Sequence, residues 1–157
     1  MVRCKSITRF SIINNSIILT QTDTTVGFLS QDAKKLYEIK SRDNSKPFIK
    51  VYKDFKTFLS LKNRVPQNKK NLIRRSKKTT FIVNNKAFRI TKNKLNSQIL
   101  NKLSWCYSTS ANESGKNFNQ EFCINKADII IDDTNGLREN NSSSLLKLND
   151  SKIRKLR

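Results

Sequence analysis

The chain has 157 residues, with 32 Lys and Arg against 12 Asp and Glu, a formal net charge of +20, and no histidine. That length suits one domain burying roughly 70% of its unfolded surface, and three glycines with two prolines exclude collagen-like and low-complexity classes. The lack of histidine excludes His-dependent triads and Cys/His zinc spacings, while the charge excess sets up a field that attracts nucleic acid and other polyanions.

Ile12, Ile13, Ile17, Ile18 and Leu19 predict an early buried strand or hairpin that turns at Asn14-Asn15. Next comes Gln21-Thr22-Asp23-Thr24-Thr25-Val26-Gly27-Phe28, which places hydroxyls and a carboxylate on a turn after that apolar strand. Ser30 is the expected N-cap of a helix with Ala33, Leu36, Tyr37 and Lys40 at helical spacing, ending near Arg42. Asp43-Asn44-Ser45 reads as loop, and residues 47–52 as a strand. Asp54 caps a second helix whose Phe55, Phe58, Leu59 and Lys62 share one face, before Pro66 breaks the pattern.

Residues 69–78 are a run of cations that abuts a strand at 79–83. Asn84-Asn85 then signals a turn, with residues 87–90 as the returning strand of a hairpin. Leu95, Ile99, Leu100 and Leu103 predict another helix, and Trp105-Cys106-Tyr107 a strand leading into Ser108-Thr109-Ser110-Ala111-Asn112. Residues 127–132 are the clearest late strand, 133–141 a polar loop, and 143–148 and 152–156 two closing strands. Strands and helices that interleave in this way describe one α+β (mixed α/β) domain over residues 1–157.

Cys4, Cys106 and Cys123 are widely spaced, which indicates reduced thiols in a cytoplasmic protein. Cys106 has no base near it in sequence and reads as a buried strand residue, not a nucleophile. No uninterrupted apolar run reaches membrane-spanning length, so no membrane partner is expected. Three polar clusters fall at predicted strand ends, at 22–25, 108–112 and 142–144, where α/β sheets commonly bind ligands. With Lys40, Arg42 and Lys46 across the first helix end, they suit an anionic, phosphate-bearing small molecule. Gly115-Lys116 ends like a Walker motif, but Ser110 stands where its first glycine belongs, which excludes it.

Several of these segments resemble one family. Gln21 to Phe28 resembles the Pro-Thr-Asp-Thr-Val-Tyr-Gly-Leu segment of YrdC-like proteins, the threonylcarbamoyl-AMP synthases. Ile39-Lys40-Ser41-Arg42 with Lys46-Pro47-Phe48 resembles their Lys-x-Arg and Lys-Pro-Leu segment. Ser108-Thr109-Ser110-Ala111-Asn112-Glu113-Ser114-Gly115 is nearly identical to their Ser-Thr-Ser-Ala-Asn-x-Ser-Gly loop. Asp128 to Asp132 and Ser143-Ser144-Leu145-Leu146 are similar to their late strand and Pro-Ser-Thr-Val-Val segment. The departures are Gln21 for proline, Val26 for tyrosine, Ser76 to Thr80 for a Pro-Gly-Pro-Thr run, and Ser142 for the late proline. The N-terminal helix of the family is shortened or absent.

The resemblance implies a single YrdC-like domain, a twisted sheet of mixed parallel and antiparallel strands flanked by helices. It implies a nucleotidyltransferase, L-threonylcarbamoyladenylate synthase, which condenses L-threonine, bicarbonate and ATP to threonylcarbamoyl-AMP and pyrophosphate. The product serves tRNA threonylcarbamoyladenosine modification through a downstream threonylcarbamoyl-transferase complex. Mg2+ would travel with ATP, with no permanently bound cofactor and no metal site of the protein's own. In this resemblance Lys40 and Arg42 are catalytic and clamp phosphates, and Lys46 meets a phosphate or the carbamate. Thr22 faces the threonine or carbamate end, and Arg89 the substrate carboxylate. Ser108, Ser110, Asn112 and Ser143 line the nucleotide pocket, which Arg154 or Arg157 closes. Arg64, Lys69, Lys70, Arg74, Arg75, Lys77 and Lys78 are the candidate cations for double-stranded RNA or tRNA. A rival expectation is a non-catalytic family member that acts as an RNA-binding protein, for example in ribosome maturation, which the lost proline and tyrosine favour.

Overall fold

A computed structural model describes residues 2–4, 10–41, 47–91, 94–131 and 134–157. Runs rich in β-branched and aromatic residues build one ten-stranded sheet among these residues. Its strands are β1 (Val2–Cys4), β2 (Ile18–Gln21), β3 (Val26–Ser30), β4 (Ile49–Tyr52) and β5 (Thr79–Val83). They continue with β6 (Lys86–Ile90), β7 (Trp105–Ser110), β8 (Ile129–Ile131), β9 (Ser144–Leu148) and β10 (Ile153–Lys155). The spatial order is β1-β8-β2-β3-β7-β4-β6-β5-β9-β10. The β2–β8, β4–β6 and β5–β9 pairs are parallel and the others antiparallel, so the sheet is mixed as expected.

Helices α1 (Ala33–Lys40), α2 (Phe55–Ser60), α3 (Lys70–Arg75), α4 (Lys94–Leu103) and α5 (Gln120–Lys126) flank the sheet. Successive strand residues point to opposite faces, and this sorts the core into layers. On one face Ile18, Leu29, Val51 and Cys106 pack with Ile99, Leu100 and Leu103 of α4. The other face carries two clusters. Leu19, Phe28 and Phe48 pack with Leu36 of α1 and Cys123 of α5. Tyr52, Phe81 and Phe88 pack with Phe55 and Phe58 of α2 and Ile73 of α3. Phe58 is the hub of that second cluster, with ring centroids 4.4 Å from Phe88 and 5.1 Å from Tyr52.

The local chemistry explains most element ends. Asp54 caps α2 by accepting from Thr57 N at 2.6 Å, and this bond holds its carboxyl below the ordinary range. Asn84 and Asn85 both have positive φ, 49° and 59°, the backbone that a two-residue hairpin turn requires. Ser30, the expected cap of α1, instead completes β3 opposite Tyr107, and Asp32 caps the helix by accepting from Lys34 N at 2.9 Å. Ser30 Oγ in turn accepts from Asp32 N. The helix ends at Lys40, with Ser41 left-handed at φ 45°.

The early hairpin does not form: Phe10–Asn15 is a 3-10 helix. Both edges of β2 are already taken, by β8 and β3, so an upstream partner would have no ladder to join. Two helices lacked a visible sequence signal. In α3 the apolar anchor shrinks to Ile73 and Leu72 inside the cationic run. In α5 the Asn119 cap, which accepts from Phe122 N at 2.8 Å, stands in a polar stretch. Among the described residues no helix is long and apolar enough to cross a membrane.

Candidate functional site

The turn between β2 and β3 is tied by its own hydroxyls. Thr22 Oγ1 donates to Thr25 O at 2.6 Å and accepts from Thr24 N and Thr25 N at 3.2 and 3.3 Å. Its one O–H is therefore committed to the turn. Gly27 lets this turn approach β7, because a Cβ there would stand 3.0 Å from both Thr109 O and Thr22 Cγ2. Beside that approach lies a cleft of about 300 Å3, lined by Thr22, Thr24, Thr25, Pro47, Phe48, Arg89, Ser108, Ser110, Ser142, Ser143 and Arg157, among others. The three polar clusters that are far apart in sequence thus meet in one place.

Arg89 anchors the cleft. It is 7% exposed and donates from Nη1 to Asp23 Oδ1 and Thr24 Oγ1, both at 3.0 Å. From Nε and Nη2 it donates to Thr80 Oγ1 at 3.2 and 3.0 Å. Thr80 Oγ1 also lies 2.9 Å from Ser143 Oγ. A hydroxyl accepts at two lone pairs and donates once, so Thr80, already accepting twice from Arg89, donates to Ser143. That leaves the Ser143 O–H to donate to a ligand oxygen. Arg157 Nε donates to Ser143 O at 3.0 Å at the same wall.

Lys40 lies behind the cleft, not on its lining. It is 3% exposed, and its ammonium donates to Ser110 O at 3.1 Å, Asn112 O at 2.5 Å and Asn112 Oδ1 at 2.6 Å. Ser110 Oγ donates to the same Asn112 Oδ1 at 2.7 Å, and Asn112 Nδ2 donates to Lys116 O. A buried cation thereby ties Ser110 and Asn112 together at the end of β7. To meet a phosphate directly, Lys40 would have to exchange one of these bonds. Arg42 and Lys46, the other expected clamp residues, lie outside the described residues.

Of the two arginines expected to close the site, Arg157 lines the cleft, whereas Arg154 is exposed on β10 opposite Lys147. Arg64, Lys69, Lys70, Arg74, Arg75, Lys77 and Lys78 gather on and around α3, away from the cleft lining. Arg74 stacks 5.0 Å over the Phe55 ring, and Lys78 O accepts from Ser144 N beside the cleft mouth. Asp23, Thr24 and Thr80 were not anticipated as partners of Arg89. The period-2 pattern of residues 79–83 would place Thr80 opposite Phe81, but register alone brings it under Arg89.

Gln21, where the family has proline, is 3% exposed and accepts from Arg138 N at 3.0 Å through Oε1. It ties the 137–140 segment to the turn, and its Nε2 is buried without a hydrogen-bond partner among the described residues. Burial pushes the Cys106 thiol up to about 12 and raises Cys123 as well, so both are protonated at neutral pH. Cys106 is accordingly a buried strand residue. Among the described residues no three His, Cys, Asp or Glu side chains gather to hold a metal.

Comparison with known proteins extends from sequence to fold. No curated protein matches in sequence. The crystal structure of P. abyssi Sua5 complexed with L-threonine superposes with a TM-score of 0.78 at 19% identity, over 94% of this chain and 52% of that one. MTH1692 from Methanobacterium thermoautotrophicum gives 0.68 at 18% identity, over 98% of this chain and 90% of that one. E. coli YciO gives 0.61 at 17% identity, over 94% and 85%. The chain spans about half the length of the Sua5 chains it matches. At these identities the structures speak for the fold. The family model Sua5_yciO_yrdC, described as telomere recombination, matches residues 11–157, and by that match over nearly the whole sequence the chain belongs to the Sua5/YciO/YrdC family.

Proposed function

We propose that this chain is a threonylcarbamoyl-AMP synthase domain acting in tRNA threonylcarbamoyladenosine modification in the cytoplasm. The observation that carries the reading is the convergence of Arg89, Arg157 and the Ser143 hydroxyl on one cleft at the strand ends. The L-threonine bound to P. abyssi Sua5 supports the same substrate here.

In this reading the remaining Nη2 hydrogen of Arg89 receives the threonine carboxylate, with Asp23 and Thr24 holding the guanidinium in place. The threonine nitrogen attacks bicarbonate carbon and water leaves, giving a carbamate. A carbamate oxygen then attacks the α-phosphorus of ATP; the new O–P bond forms as the α–β bridge breaks, and pyrophosphate departs. Arg157, the Ser143 O–H and the Ser108 and Ser110 segment balance the charge that grows on the phosphate oxygens. Arg42 and Lys46 belong to the same phosphate clamp. Lys40 acts through the 108–112 segment and Asn112. ATP brings its Mg2+ bound to its phosphates. The product passes to the transferase complex that modifies tRNA.

One observation favours a second reading. Asp23 already occupies Arg89 and Asn112 already occupies Lys40, as in a site converted to structure. In that case the chain is a non-catalytic RNA-binding relative whose basic α3 region meets double-stranded RNA or tRNA, for example in ribosome maturation. Pyrophosphate release that requires both L-threonine and bicarbonate is the deciding measurement. Its absence, with tight RNA binding retained, gives the second reading the field.

A further inference from the structure

A second cleft, of about 500 Å3, opens on the other face of the sheet. The ladder decides the face: Lys50 lies opposite Tyr107 and Phe88, while its neighbours Ile49 and Val51 lie opposite Ser108 and Arg89. Alternation therefore directs Lys50, Tyr107 and Phe88 away from the first cleft. The new cleft sits where the two core clusters of that face meet, with Phe48 and Tyr107 from one and Tyr52, Phe58 and Phe88 from the other.

Its charge has one sign. Lys50, Lys62, Arg64 and Lys86 line it, with no Asp or Glu among its described lining residues. Lys50 Nζ lies 4.4 Å from the Trp105 ring centroid and 5.2 Å from that of Tyr107. Tyr107 is half-buried, so part of its ring is open to the cleft. Lys62, Arg64 and Lys86 are exposed at the rim. Asn63 Nδ2 donates to Phe58 O at 2.9 Å and fixes the loop that carries two of them.

An aromatic and apolar floor with a cationic rim suits an anion that also carries a flat ring. A duplex keeps its bases stacked inside and would meet the rim alone. An acidic peptide meets the charge requirement, but beyond Arg64 the chain adds Lys69, Lys70, Arg74, Arg75, Lys77 and Lys78 on and around α3. Ile73 of that helix packs in the same cluster as Phe58 and Phe88 of the cleft, and its Arg74 stacks on Phe55. A track that long fits a regularly repeating phosphate. We propose that this cleft holds one unpaired nucleotide of a nucleic-acid strand, its base against Tyr107 and its flanking phosphates on Lys62, Arg64 and Lys86. The proposal stands whether or not the first cleft is catalytic.

Trp105 is the chain's one tryptophan and reports on the cleft through two of its lining residues, Tyr107 at 5.3 Å between ring centroids and Lys50 Nζ at 4.4 Å. Fluorescein-labelled hexauridylate, titrated by anisotropy over a range of KCl concentrations, is expected to bind and to change Trp105 emission. Lys62→Asn with Lys86→Gln alters only exposed side chains and should weaken binding about tenfold. It should also lower the slope of log K against log salt by about 0.7 per cation removed. Tyr107→Leu should weaken binding at least about fivefold with the salt slope kept. Wild-type binding by the Lys62/Lys86 variant overturns the proposal. An RNA duplex of equal charge, or polyglutamate, that changes Trp105 emission as strongly overturns it as well.

Discussion

The two clefts use positive charge in opposite ways. Around the first, two cations are buried and held: Arg89 on the lining by Asp23, Thr24 and Thr80, and Lys40 behind it by Ser110 and Asn112, while Arg157 stands exposed at the edge. In the second, Lys62, Arg64 and Lys86 stand exposed with no ion pair among the described residues. Buried, oriented donors offer a small anion a fixed geometry and are little screened by salt. Exposed lysines offer a field that many phosphates can share and that salt weakens steeply. A single charge of +20 therefore conceals two chemistries.

The largest expected effect tests the held side. Arg89→Ala leaves Asp23 in the interior without its partner. It should cost about 3 kcal/mol of stability in urea unfolding and lower threonine-dependent pyrophosphate release at least about a hundredfold. Arg89→Lys keeps the charge but loses the fork held by Asp23, Thr24 and Thr80, and full activity in that variant would refute the role of the oriented guanidinium. Arg157→Ala removes one charge-assisted contact at the edge of the same cleft. A fall of about tenfold in pyrophosphate release with unchanged unfolding is the expected result.

On the exposed side, a triple Lys70→Gln, Arg75→Gln, Lys77→Gln variant avoids Arg74, which stacks on Phe55. Its salt slope for oligouridylate should fall by about two units, with pyrophosphate release unaffected. Equal loss in both assays would collapse the distinction between the two regions. The smallest effect concerns the helix that leads to Lys62 and Arg64. Asp54→Ala should cost about 1 kcal/mol through the lost cap. The folded-state pKa of Asp54 is depressed, so its contribution is full above the ordinary value of 3.8 and fades as pH falls through the folded value. The gap between wild type and variant in thermal melting should therefore close in acid.

Local rules carried much of the reading. Asp54 as cap, Asn84-Asn85 as turn, Cys106 as a buried strand residue and the two closing strands all follow from near neighbours in the chain. The errors arose where neighbours mislead. Ser30 looks like a cap but belongs to a ladder, and Ile12 with Ile13 looks like a strand that β8 and β3 leave no edge to join. The convergence of residues 22–25, 108–112 and 142–143 was expected from the family resemblance. Its internal bonding was not.

By itself the sequence determined the Asp54-capped helix, the hairpin turn, the alternating strands and the family motifs, because each depends on residues a few positions apart. Tertiary structure alone decided that Arg89 meets Asp23 across 66 positions and that Lys40 meets Asn112 across 72. It alone decided that the two clefts open on opposite faces. The reason is register: which side chains meet across a sheet depends on the order and stagger of non-adjacent strands, and a one-residue slip would send every one of them to the other side.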